Sequence, residues 1–274
     1  MEFKAFKMNG LGNDFVIIDQ RQNRINLKKD QILKICNRDF IGCDQLIYIN
    51  QNSKADAGLE FYNSDGSTSD ACGNGTRCVA YLLSKEKNKE EINLIVKSTE
   101  LKSKIFGNNL VETIIGVPKT NWDEIPINKS IDTRNLGIEI KDRNNVPKKG
   151  GIGINVGNPH VIFFVDDIEK FKLEKIGPEI ENHKLFPEKC NVTLAKKVGD
   201  NHYKVRVWER GAGLTKACGT AACATAVAAN LEMLENSQTE IEFSLGKLII
   251  SIDENKRISM KGPVSEIEEI KVNI

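Results

Sequence analysis

A seven-residue segment, Gly12-Asn13-Asp14-Phe15-Val16-Ile17-Ile18, recurs as Gly157-Asn158-Pro159-His160-Val161-Ile162-Phe163, an offset of 145 residues. A second segment, Ala71-Cys72-Gly73-Asn74-Gly75, recurs at nearly the same offset, 146, as Ala217-Cys218-Gly219-Thr220-Ala221. Two matches in the same order, at an offset near half of a 274-residue chain, imply two homologous domains rather than one large one. In each half, alternating apolar residues (Leu59 and Phe61; Val205 and Val207) predict a strand. A polar glycine-containing loop then leads to the cysteine, and a helical segment follows.

Those helical segments lack a polar stripe. Residues 78–83 are apolar throughout, and 221–229 are almost entirely alanine. A helix apolar on all sides is buried on all sides, so each is expected inside its own domain's sheet. Further strands are predicted at 14–19, 46–50, 92–99, 110–117, 161–165, 203–208, 240–244 and 247–252. The boundary between the domains is expected in the polar stretch 118–127. Residues 141–153, rich in Lys, Asn and Gly, read as a flexible loop.

The 39 basic and 38 acidic residues leave a formal charge of +1, so no field gathers nucleic acid or an anionic membrane. The expected partner is a small molecule. No apolar run approaches the roughly 18 residues that span a bilayer, and the N-terminus has no secretory pattern, which places the protein in the cytoplasm. The seven cysteines are odd in number, contain no Cys-x-x-Cys, and stand with only three dispersed histidines. Neither a disulfide framework nor a metal site is expected. Five of the seven read as small buried hydrophobes; Cys72 and Cys218 are the exceptions.

A cysteine just before a buried helix sits where backbone N–H groups lack intrahelical partners and the helix dipole is positive. Such placement favours a thiolate and can lower its pKa from about 8.5 toward neutrality. The following N–H groups, at Gly73-Asn74 and Gly219-Thr220, can bind a carboxylate. If the two halves face a common cleft, two sulfurs reach one carbon from opposite sides. One removes an α-proton while the other protonates the opposite face, which inverts the stereocentre. The N–H groups would stabilise the charge that spreads onto the carboxylate, so no cofactor is required.

At these residues the chain closely resembles the diaminopimelate epimerase family. The resemblance runs nearly end to end, through Lys7-Met-Asn-Gly-Leu-Gly-Asn-Asp-Phe, Gly42-Cys-Asp-Gln-Leu, Phe61-Tyr-Asn-Ser-Asp-Gly-Ser, Ala71-Cys-Gly-Asn-Gly-Thr-Arg-Cys, Gly157-Asn-Pro-His, Phe186-Pro-Glu-Lys-Cys-Asn and Trp208-Glu-Arg-Gly-Ala-Gly-Leu-Thr-Lys-Ala-Cys-Gly-Thr. It implies an α/β fold of two pseudo-symmetric domains, each a curled mixed sheet around a central helix, with the active site in the cleft between them. The domains would be 1–118, joined by a returning C-terminal strand at 263–274, and 119–262.

The resemblance also implies a cofactor-independent isomerase that interconverts LL- and meso-diaminopimelate, and a homodimer. Carried over residue by residue, Cys72 and Cys218 are the proton-transfer pair. Asn13, Gln45, Asn63, Gly73, Asn74, Asn158, Asn191, Glu209, Arg210, Gly219 and Thr220 contact the substrate, and His160 with Glu209 tunes the cysteines. Arg210 suits a distal carboxylate through its two-pronged fork, and Glu209 can accept from an ammonium group. Two positions depart from the family pattern, Ala221 where glycine is usual and Lys216 two residues before Cys218. Relatives acting on lanthionine or histidine share the architecture, and a non-catalytic redox-sensing module could use the same cysteines. Proline racemase-like proteins carry Cys-Gly-His-Gly, which Cys72-Gly-Asn-Gly does not match.

Overall fold

The computed structural model describes residues 1–69, 72–231 and 237–274. Ala71 of the first cysteine motif lies outside the described residues. The chain forms two compact units, Met1–Ile114 with Lys261–Ile274, and Ile115–Met260.

Unit 1 contains β1 (Glu2–Gly10), β2 (Asn13–Asp19), α1 (Lys29–Cys36), β3 (Gln45–Asn50), β4 (Ala57–Asn63), β5 (Thr68–Ser69), α2 (Gly73–Lys87), β6 (Glu91–Val96), β7 (Thr99–Phe106) and β8 (Leu110–Gly116). Side chains alternate across a strand, and β2 shows the consequence. Phe15 and Ile17 join the core around α2, while Val16 and Ile18 join the core around α1. Both faces of the sheet are therefore covered, and β2 carries the continuous apolar run Phe15-Val-Ile-Ile18 instead of alternating with polar residues. Residues Asn74–Ser84 of α2 are buried without interruption, which accounts for its missing polar stripe.

Unit 2 contains β9 (Ile138–Lys141), β10 (Pro147–Gly150), β11 (Ile152–Asn155), β12 (Pro159–Phe164), α3 (Leu173–Glu181), β13 (Asn191–Gly199), β14 (His202–Glu209), β15 (Gly213–Thr215), α4 (Gly219–Ala229), β16 (Ser237–Phe243) and β17 (Gly246–Ile252). Every residue of α4 except Thr220 and Ala229 is buried. The chain leaves this unit through β18 (Ile258–Pro263) and ends in β19 (Glu268–Asn273), which pairs antiparallel with β1.

The units repeat one another strand by strand. In unit 1, β1–β2 is antiparallel, β2–β3 parallel, β3–β4 antiparallel, β4–β6 parallel and β6–β7 antiparallel. In unit 2 the same alternation runs through β11–β12, β12–β13, β13–β14, β14–β16 and β16–β17. The short strand before each cysteine pairs back on its predecessor, β5 on β4 and β15 on β14. Helices α1 and α3 fill equivalent crossovers, as do α2 and α4.

Two expectations from the sequence are corrected. Residues 141–153 are not a flexible loop: β9 and β10 pair as a hairpin, and β11 opens the main ladder of the unit. Ile138 and Ile140 bury one side of that hairpin while its other side is polar, so composition alone masks a two-residue period. The predicted strand 92–99 holds as β6 only to Val96, and its end turns back into β7 as a hairpin. Lys97 turns at φ 55° between β6 and β7, a left-handed conformation that lysine seldom signals. Within the expected boundary stretch, Ile125 and Ile127 belong to the unit 2 core.

Asp56 ties the end of α2 to β6. Its carboxylate accepts from Lys87 Nζ at 2.9 Å, Lys89 Nζ at 3.3 Å and the Asn93 backbone N–H at 3.0 Å. Burial alone would raise its pKa, but these donors outweigh it and hold the group down to about 2. A depressed folded pKa contributes stability above the unfolded value, near 3.9, which is lost as pH falls toward 2. Asp56→Asn should therefore lower the urea midpoint at pH 7, and the gap from the parent should narrow between pH 4 and pH 2. A gap independent of pH would contradict the assignment.

Candidate active site

Cys72 and Cys218 occupy matching positions, each the residue that caps the N-terminus of a buried helix. Their backbones agree closely, at φ −138°, ψ 110° for Cys72 and φ −142°, ψ 115° for Cys218. Neither thiol caps its helix by a side-chain hydrogen bond. The first-turn N–H groups of α2 and α4, including Gly73-Asn74 and Gly219-Thr220, thus open beside a sulfur with no acidic side chain in either first turn.

The residues around each cysteine are also equivalent. Asn13 and Asn158 each follow a glycine with positive φ, Gly12 at 78° and Gly157 at 109°. That conformation is open to glycine without a Cβ penalty and turns the chain sharply into the next strand. Gln45 and Asn191 open β3 and β13, while Asn63 and Glu209 close β4 and β14. The β-ladders bring each set to one end of its sheet, next to the start of the helix.

In unit 1 the Cys72 thiol lies 3.6 Å from Asn13 Oδ1, and Asn74 Nδ2 lies 3.4 Å from the same oxygen. Asn13 Nδ2 donates to Asp44 Oδ2 at 2.9 Å, which also receives the Asp14 N–H. Gln45 Nε2 donates to Asn63 Oδ1 at 2.9 Å, and Asn63 Nδ2 to Ser67 Oγ at 3.0 Å. Gln45 Oε1 is buried with no hydrogen-bond partner. The Asn74 side chain is buried and engaged by Asn13 and by Arg77 Nη2, so only its backbone is placed like a ligand donor. Asp44 and Arg77 were not singled out in the sequence. Asp44 stands beside Gln45 in the Gly-Cys-Asp-Gln motif, and a charged residue inside an apolar helix was the available signal for Arg77.

In unit 2 the Cys218 thiol is 3.4 Å from Thr220 Oγ1. Burial drives its pKa well above the usual thiol range, and the negative charge and hydrogen bond of Glu209 add to the rise. Thr220 and the Ala221 N–H oppose that rise without reversing it. The expectation of a favoured thiolate is therefore corrected for Cys218: desolvation and a neighbouring carboxylate outweigh the helix terminus.

His160 is fully buried. Its Nε2 lies 2.9 Å from Asn158 Oδ1 and 3.5 Å from Asn191 Nδ2, while Nδ1 is buried without a hydrogen-bond partner. Burial, aided by the positive charge of Arg210, lowers its pKa to about 3, so the ring is neutral. Asn191 is engaged at both ends, accepting the Arg210 N–H at 2.9 Å and donating to the Pro159 carbonyl at 3.0 Å. Arg210 Nη1 donates to the Glu188 carbonyl at 2.8 Å.

The other five cysteines, 36, 43, 78, 190 and 223, are buried. Among the described residues, no group of three or more His, Cys, Asp or Glu side chains is placed to hold a metal ion, and no helix is long and apolar enough to cross a membrane.

Solved structures share this architecture at low sequence identity. A phenazine biosynthesis protein of the PhzF family from Bacillus anthracis matches with a TM-score of 0.71 at 15% identity, covering all of both chains. A hydroxyproline epimerase from Agrobacterium vitis matches with a TM-score of 0.69 at 10% identity, over 100% of this chain and 93% of that one. Sequence comparison is more specific. The diaminopimelate epimerase of Pelagibacter ubique is 69% identical over the full length of both chains, and that of Zymomonas mobilis is 39% identical over 97% of this chain and 96% of its own. The family model described as diaminopimelate epimerase matches twice, at residues 5–120 and 152–267, one match for each half of the repeat. With the duplicated sheets, the cysteines at matching helix-cap positions and these matches in agreement, the chain belongs to the diaminopimelate epimerase family.

Proposed function

We propose that this protein interconverts LL- and meso-diaminopimelate without a cofactor, with Cys72 and Cys218 exchanging the α-proton from opposite faces. The observation that carries this reading is the matched pair of cysteines at helix-cap positions, in one backbone conformation and one sequence register. Family membership and the names of the relatives support the substrate.

In each turnover one sulfur, as thiolate, takes the α-proton while the opposite thiol gives its proton to the carbanion. The protein's proton count is unchanged, but the roles of the two sulfurs are exchanged, ready for the reverse reaction. Two thiolates close together repel, so the pair holds one proton and titrates jointly. Backbone N–H groups at Gly73-Asn74 and Gly219-Thr220 receive the substrate carboxylate and the negative charge that develops there.

Glu209 gives the site a gate. Its charge helps to keep the Cys218 thiol protonated. An ammonium group of the substrate pairing with Glu209 removes that repulsion, so the base forms when the substrate is in place. Arg210 takes the distal carboxylate in a two-pronged contact. Asn13, Gln45, Asn63 and Asn158 supply amide donors and acceptors for the remaining polar groups, and the unpartnered Gln45 Oε1 is a ready acceptor for an ammonium. Asn191 acts at the edge of the same site through the Arg210 backbone, and His160, held neutral, tunes the cysteine pair without adding charge.

Incubation of the reduced protein with LL-diaminopimelate in deuterium oxide should place deuterium at one α-carbon of the meso product. No exchange with diaminopimelate, but exchange with lanthionine or histidine, would reassign the substrate. No exchange with any of them would reject catalysis in favour of a binding module. The cytoplasm and a homodimeric state belong to the same proposal, resting on the odd cysteine number and the family resemblance, and light scattering checks the second.

A further inference from the structure

Helix α3 places Gly177 and Glu181 four residues apart, on one face, and Trp208 of β14 lies against both. A Cβ at Gly177 would stand 2.4 Å from two carbons of the indole, so the ring packs directly on the helix backbone. One turn further on, the Glu181 side chain is buried at 6% exposure. Its Oε2 accepts the Trp208 indole N–H at 2.7 Å, and its Oε1 accepts the Gly211 backbone N–H at 3.0 Å. Lys189 Nζ, 3.6 Å from Oε1, offsets the charge.

Trp208 and Gly211 bracket Glu209 and Arg210. Glu181 thus grips the chain on both sides of these two residues, while Asn191 accepts the N–H of Arg210 between them. A buried carboxylate is costly unless it is fully paired, and here it is suited to its task. Two N–H donors converge on it, and only a group with two acceptor oxygens satisfies both; an amide would set its own NH2 against one of them.

The comparison between units separates this role from general packing. Helix α1, the counterpart of α3, ends in buried Ile35 and Cys36, with no carboxylate. At the repeat offset of 146, Tyr62 stands where Trp208 does, and Asn63-Ser64 where Glu209-Arg210 does. The half without a charged pair has no carboxylate clamp.

We infer that Glu181 is a positioning residue, which holds the Glu209 carboxylate beside the Cys218 thiol and the Arg210 guanidinium in its place by clamping Trp208 and Gly211. This rests on the reading that Glu209 and Arg210 meet the substrate, and the first readout of the test needs no substrate.

In Glu181→Gln, alkylation of Cys218 by iodoacetamide at pH 7–8, followed on its own peptide by mass spectrometry, should accelerate by about tenfold as Glu209 moves away and the thiolate fraction rises. The KM for LL-diaminopimelate should rise by about tenfold or more. Trp208→Phe keeps a ring on Gly177 and the Glu181–Gly211 bond, so it should move both quantities the same way by less. It also decides the matter if Glu181→Gln does not fold. A lower melting temperature with unchanged alkylation of Cys218 in these variants would overturn the proposal and leave Glu181 a packing residue. If the parent protein fails to exchange the α-proton of diaminopimelate while alkylation still accelerates, the substrate reading fails and the clamp stands.

Discussion

Cys72→Ala and Cys218→Ala should each lower epimerisation by at least about 10²-fold, the usual size of a lost general acid or base. The two variants should differ from each other in an informative way. Each retains one sulfur, so each should still exchange the α-proton of only one stereoisomer with solvent, and the two variants should favour opposite isomers. Near-normal inversion in either variant would eliminate the two-thiol mechanism. Both proteins should remain folded. Neither thiol makes a side-chain cap bond, and trimming a single buried sulfur from Cys218 costs about 1 kcal/mol, less than a Leu-to-Ala truncation. Unchanged far-ultraviolet circular dichroism checks this. In the parent, mild oxidation should join the two sulfurs, abolish activity and be reversed by a thiol reductant. Peptide mapping that finds Cys72 linked elsewhere would count against the two-thiol mechanism.

Gly75→Val should produce a large loss of stability. A Cβ at Gly75 would lie 2.8 Å from Ile47 Cδ1, 3.0 Å from Phe61 Cε1 and 3.1 Å from Phe15 Cε1. These three side chains come from β3, β4 and β2 and are buried to within 1% of completely, so none can retreat into solvent. The helix must then lift from its sheet or the aromatic rings must leave their rotamers, which places the cost at or above the upper end of the ~1–3 kcal/mol typical of overpacking. Urea unfolding should show a lower midpoint. Because Cys72 and the N–H groups of α2 move with the helix, turnover should fall as well, even in the fraction that remains folded. A midpoint within error of the parent would show that the α2 core has room that the packing does not reveal.

Much of this architecture is legible in the sequence, and the reasons are local. Repeated strings at one offset announced a duplication. The apolar runs 78–83 and 221–229 announced helices enclosed by sheet, since only a helix covered on every side can lack a polar stripe. The cysteines before those helices were visible as helix caps because capping is set within a few residues. Features without a short-range signature were missed. Lys97 takes a left-handed turn that glycine or asparagine would have advertised. The β9–β10 hairpin hides its alternation under lysines and asparagines. Glu181 and Trp208 are 27 residues apart and meet at 2.7 Å, which nothing in either neighbourhood foretells.

The sequence by itself determined the doubling, the two buried helices, and which two sulfurs stand at helix starts, because periodicity and capping are properties of neighbouring residues. Tertiary structure alone decided the protonation of Cys218 and the space around the helix starts. Cys218 is held as a thiol because burial and the Glu209 charge, both created by strand pairing, outweigh the dipole of the helix it caps. The same holds for packing. Gly75 has no room for a methyl group, whereas its counterpart Ala221 carries one, fully buried, at the equivalent turn of the second helix. Desolvation and close approach depend on what the rest of the chain brings near a residue, and that is settled only when the sheet closes around the helix.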